Sequence, residues 1–125
     1  MNLTNIQDMF RAEFGDIADK FQIHNIALAD AARDKTPGAA APGVYVFLKG
    51  DQVLKVGRHL TNSRKRALEH IVDNTGGTMG SLRDDESIRL ALFNVISINE
   101  LHWVCALEVF FEQRLQPTIR SARLG

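Results

Sequence analysis

"PGVYVFLKGDQVLKVG", residues 42–57, decides the fold. Two runs of strand-forming residues, Val44 to Leu48 and Gln52 to Val56, are joined through Gly50 and Asp51, which reads as a β-hairpin. Strands apolar on both faces imply a small sheet covered by helices on both sides. Lys55 breaks the pattern, standing where an apolar or aromatic residue would be cheaper. It is either a cation that keeps an edge strand from pairing with other sheets, or a polar group placed inside a site. The hairpin's register separates the two. A two-residue loop pairs Lys49 with Gln52 and Tyr45 with Val56, sending Tyr45 and Lys55 to opposite faces; a three-residue loop or a bulge sets Tyr45 directly across from Lys55.

Before the hairpin, residues 4–22 carry Ile6, Met9, Phe10, Phe14, Ile17 and Phe21 at spacings of three and four, which predicts an amphipathic helix with Thr4 as N-cap. His24 to Arg33 reads as a second short helix, and "DKTPGAAAPG" as an irregular connector. After the hairpin, Asn62 or Ser63 caps a helix running to about Asp73, with Ala67, Leu68, Ile71 and Val72 as its apolar face. "NTGGTMGS" breaks it. A third strand lies within Ser87 to Ile98, and Asn99 caps a long apolar helix ending before Pro117. The expected division is a helical extension and connector over 1–41 and a main domain over 42–125. The expected class is α/β (α+β), a three-stranded antiparallel sheet flanked by helices.

At 125 residues the chain is long enough to bury a core without disulfides or metal. Its formal net charge is zero, which argues against a coat that grips nucleic acid by a global basic field; any electrostatic footprint must be local. The single Cys105, in an apolar run, excludes an internal disulfide and reads as a packed core thiol in a reducing compartment. There is no basic start followed by an apolar block and no run long enough to span a bilayer, so a cytoplasmic protein without membrane contact is expected.

A local footprint exists. Lys55, Arg58, Arg64, Lys65 and Arg66 precede His70 with Glu69 as the lone acid between them. Arg66 and His70 are one turn apart beside the Ala67/Ile71 stripe, where the helix meets the sheet, and an arginine fork there can hold a phosphate. Lys65 belongs on the solvent side. In the last helix Glu108 occupies the apolar stripe between Val104 and Phe111. An unpartnered buried carboxylate costs several kcal/mol, so it requires either an arginine from the neighbouring helix or a divalent cation, which takes oxygen ligands. Glu112, one turn on, is placed on the polar surface.

Together these residues resemble the GIY-YIG nuclease family. Gly43-Val44-Tyr45, nine residues, then Lys55-Val56-Gly57, with Arg66 and His70 following and Glu108 nine residues before Pro117, match that family's elements in order over about residues 43–120. The departures are Lys55 for the tyrosine of the second element, a slightly short gap, and Arg120 for the usual asparagine. The resemblance implies a metal-dependent endonuclease acting on DNA, duplex or branched. It implies Glu108 as ligand for Mg²⁺ or Mn²⁺, Arg66 on the scissile phosphate, and Tyr45 positioning or deprotonating the attacking water with a cation such as Lys55 beside it. His70 shares that role or contacts phosphate, and Gly57, Arg58, His59 and Arg120 border the substrate. Two other classes compete: a non-catalytic nucleic-acid-binding module that keeps the fold, and a protein-interaction domain using the N-terminal helix.

Overall fold

The computed structural model describes residues 1–74, 77 and 79–121. Helix α1 (Leu3–Phe14) is capped by Asn2, not Thr4: the Asn2 side chain accepts from the Asn5 amide and the Asn5 side chain from the Asn2 amide, a reciprocal pair that satisfies two orphan donors. The helix stops well short of residue 22. Gly15 takes φ +56°, a left-handed value that ends the helix, and a 3₁₀ turn over Gly15–Lys20 follows.

The next segment corrects the expectation of a second helix. Phe21–Ala27 is a strand, β1, and only Leu28–Asp30 turns helically, as one 3₁₀ turn. Strand β2 (Gly43–Lys49), strand β3 (Gln52–His59), helix α2 (Ser63–Val72), strand β4 (Ile88–Val95) and helix α3 (Leu101–Leu115) complete the chain. The sheet therefore has four strands, not three, all antiparallel, in the order β1-β4-β2-β3. Pairing explains β1: without it β4 would present a long apolar strand with an open edge, and Phe21 and Ile23 lie opposite Val95 and Phe93. Residues 1–41 thus contribute a strand and core side chains to the same sheet as the hairpin. Asn62 caps α2 through Lys65, as the sequence suggests, whereas Glu100 and not Asn99 stands at the start of α3. Of the break expected over residues 74–81, Thr75, Gly76 and Thr78 lie outside the described residues.

Alternation divides the core into two layers. Val44, Val46, Leu48, Ala91, Phe93 and Val95 face α1 and α3, meeting Ile6, Phe10, Val104, Leu107 and Phe111. Tyr45, Phe47, Leu90 and Leu92 face α2, meeting Ala67 and Ile71. Cys105 lies off the α3 stripe and is half-buried, so it is not the core thiol expected. Among the described residues no helix is long and apolar enough to cross a membrane.

Candidate functional site

The hairpin combines features of both registers. Its turn has two residues, with Lys49 opposite Gln52 and Leu48 opposite Val53, but the pairing then slips so that Phe47 faces Lys55 and Tyr45 faces Gly57. Leu54 is the extra residue of a β-bulge. Regular pairing would put Lys55 opposite Val46, on the phenylalanine-rich face; the bulge moves it to the face of Tyr45 and Phe47. Tyr45 is therefore diagonal to Lys55, not directly across from it. At Lys55, 7% exposed, the edge-guard reading meets an obstacle. The tail after α3 covers that edge, with the Thr118 and Ile119 amides donating to the carbonyls of Val53 and Leu54 at 3.1 and 2.8 Å.

Gly57 has a steric role. A Cβ there would stand 2.2 Å from the Tyr45 hydroxyl and 2.3 Å from the ring carbon bearing it, so the tyrosine lies across the bare glycine backbone. The Tyr45 ring also packs against His70, centroids 5.7 Å apart. Tyr45, Lys55 and His70, all at most 7% exposed, form the floor of a cleft of about 520 Å³. Arg58, His59, Leu60, Thr61, Arg66 and Ser121 form its rim.

No acidic side chain lines this cleft among the described residues, although the chain as a whole is neutral. Three basic side chains, Lys55, Arg58 and Arg66, and two histidines converge there. Arg66 carries a half-exposed pair with Glu69, Nη1 to Oε2 3.2 Å, which solvent screening weakens. Lys65 is exposed, as expected from the helix face. Arg64, the remaining cation of the run, donates to the carbonyls of Ala31 and Asp34 and so ties the connector. His59 Nδ1 accepts from the amides of Thr61 and Asn62, at 3.3 and 3.0 Å; the neutral ring then carries its proton on Nε2, the nitrogen left to act as a donor.

Glu108 is buried, 1% exposed, and its compensating cation is Arg58 from β3 rather than an arginine of a neighbouring helix: Nε lies 2.9 Å from Oε1. Glu108 itself does not line the cleft; Arg58 does. Glu112 corrects the sequence reading. It is buried as deeply as Glu108, pairs with Arg120 Nε at 3.0 Å and accepts from the Ser121 amide at 2.9 Å. Spacing already contained this signal, since 104, 107, 108, 111 and 112 are the successive positions of one helical stripe. Arg120 is thereby held beside α3, outside the cleft lining, and Ser121, which no sequence signal singled out, takes a place on the rim.

A carboxylate is the donor a hard divalent cation prefers, and Mg²⁺ is commonly held by one or two carboxylates with water and substrate phosphate completing its shell. Glu108 fits that description; among the described residues no three His, Cys, Asp or Glu side chains converge as a fuller ligand set. No protein-family model, curated protein or solved structure matches the chain, so the likeness to GIY-YIG nucleases rests on its own residues and their placement.

Proposed function

We propose that this chain is a divalent-metal-dependent DNA endonuclease with a GIY-YIG-type site. The observation that carries the reading is the acid-free cleft that gathers Tyr45, Lys55, Arg66 and His70 in a neutral chain, with a buried carboxylate behind its rim. A phosphodiester is the anion such a cleft suits. Arg66 presents a planar fork to the phosphoryl oxygens and neutralises charge that grows there. Tyr45 orients the attacking water and takes its proton, Lys55 stabilising the phenolate that results. His70, against the Tyr45 ring, fixes that ring and contacts phosphate. Glu108 would hold Mg²⁺ or Mn²⁺, which would supply Lewis-acid stabilisation of the phosphate and of the departing 3′ oxygen.

A plasmid-nicking assay with and without Mg²⁺ tests this. Wild type should nick only with metal; Glu108→Gln should lose at least ~100-fold of the rate while keeping its fold. Arg66→Lys should fail to restore activity, because a point charge does not reproduce a two-bond fork. Parental cleavage by Glu108→Gln would sink the metal assignment.

A second reading is favoured by two observations: Glu108 already carries Arg58, and Tyr45 has no exposed surface. In that case the chain binds DNA without cutting it. Affinity would then fall with a slope of about 0.9 per neutralised phosphate in log K against log salt, and no nicking would accompany it.

A further inference from the structure

Glu108 does not line the cleft, but its partner Arg58 does. Arg58 sits opposite Val44 on the α3 face of β3, the outermost strand of the sheet, and from there both touches Glu108 and borders the cleft. Its side chain is 25% exposed, that of Glu108 2%. We propose that Arg58 is a latch: it stands in for the divalent cation on Glu108 in the metal-free protein, and it leaves Glu108 for a phosphate oxygen in the cleft when metal and DNA load. The proposal rests on the nuclease reading and adds to it a means of control.

The physical case begins with the buried carboxylate. Glu108 needs a counter-charge at all times, and an empty metal site would leave it exposed to the full desolvation penalty. Arg58 supplies such a counter-charge, its Nε 2.9 Å from Oε1. A divalent ion bound to the same carboxylate displaces the guanidinium, which must then find another anion. The acid-free cavity it borders is suited to phosphate, and its donors can be reused there. Metal and phosphodiester consequently strengthen each other's binding, and by linkage the effect is reciprocal. Without DNA, metal binds weakly; without metal, Arg58 stays docked.

The neighbouring turn of α3 supplies the control within the molecule. Glu112 is also buried and also paired with an arginine, but Arg120 does not border the cleft, and Glu112 is further held by the Ser121 amide. That pair has no part in the cleft lining. The Arg58 pair differs in having a second place to go.

Titration calorimetry with MnCl₂ alone, without DNA, tests the latch. Arg58→Gln should bind Mn²⁺ at least ~10-fold more tightly than wild type, within the usual range of coupling between two ligands. Arg58→Gln/Glu108→Gln should not bind it. Thermal unfolding gives a second readout: Arg58→Gln should melt below wild type without metal and recover when Mn²⁺ is added, while the double variant should not respond. If metal-free Arg58→Gln does not fold, refolding it in Mn²⁺ must rescue it, and failure to do so counts against the latch. Equal Mn²⁺ affinity of wild type and Arg58→Gln, with binding lost in Glu108→Gln, overturns the latch and leaves the nuclease reading standing. No binding by either protein overturns the latch together with Glu108 as metal ligand.

Discussion

The two faces of the sheet are made from alternate residues of the same strands, yet they have different tasks. Beneath α1 and α3 the contact is aromatic: Phe10 meets Phe21 and Phe93 edge-on at 5.4 and 5.3 Å, and Phe93 meets Phe111 at 4.9 Å. Beneath α2, Tyr45 and Phe47 share their layer with Lys55 and His70, and the layer opens at one end into the cleft. Burial does not distinguish them, since Lys55 on one face and Val53 on the other are each 7% exposed. What distinguishes them is that Glu108 and Glu112 on the α3 side are closed into ion pairs with Arg58 and Arg120, whereas Tyr45, Lys55 and His70 on the α2 side line a cleft, and the bulge in β3 decides which face receives the lysine.

Breaking the aromatic face should produce the largest effect on stability. Phe93→Ala removes a fully buried ring that touches two others, and such truncations cost about 3–5 kcal/mol. For a domain whose whole stability is on the order of 5–15 kcal/mol, that is a large fraction. Urea denaturation should show it directly. The floor of the cleft belongs to the other face, and Glu108, although it lies on α3 near Phe111, is tied at the sheet edge to Arg58, so whatever protein remains folded should cleave DNA at close to the parental rate per folded molecule. A loss of cleavage in excess of the unfolded fraction would show that the faces are not separable.

Gly57→Ala should have a middling effect with the opposite signature. The new Cβ meets the Tyr45 hydroxyl at 2.2 Å, and a side-chain end can move where backbone cannot, so the fold should survive at a cost of about 1–3 kcal/mol. Tyr45, however, must leave its position on the cleft floor, and cleavage should fall far more than stability does. Parental cleavage by Gly57→Ala would remove Tyr45 from the chemistry.

The same contrast governs what could be read from the chain beforehand. The hairpin, α2 with its Asn62 cap, β4 and α3 are legible because each announces itself locally, by period, cap or following proline. β1 is not: "IHNIALADAAR" is rich in helix formers, and only the unpaired edge of β4, far along the chain, makes residues 21–27 extended. The cations near Lys55 and Arg66 were visible as a run, but their convergence depends on the bulge, for which Gly50-Asp51 offers no signal. Arg58 on Glu108 and Arg120 on Glu112 are contacts between distant elements, and local pattern cannot choose among several arginines.

Deleting Lys55 should give the smallest change in stability and the sharpest test of the comparison. With residue 55 gone and the two-residue turn kept, Leu54 falls opposite Phe47 and Val56 stays opposite Val46, so the hairpin becomes regular and each remaining side chain keeps its face. Regular pairing also makes successive carbonyls point to opposite sides of the strand. The tail amides of Thr118 and Ile119 now reach the successive carbonyls of Val53 and Leu54, so one of these two bonds is lost, at a cost of about 0.5–1.5 kcal/mol. Against that loss, the desolvation cost of the buried ammonium disappears together with the interaction that the ammonium makes. The two effects oppose each other, and denaturation should find the deletion variant within about 1 kcal/mol of wild type. DNA cleavage should disappear, because the cation beside Tyr45 is gone. If the variant instead fails to fold, the bulge is a structural necessity and Lys55 is its passenger; if it folds and cuts DNA normally, the lysine lies outside the chemistry and the two faces of the sheet differ in composition alone.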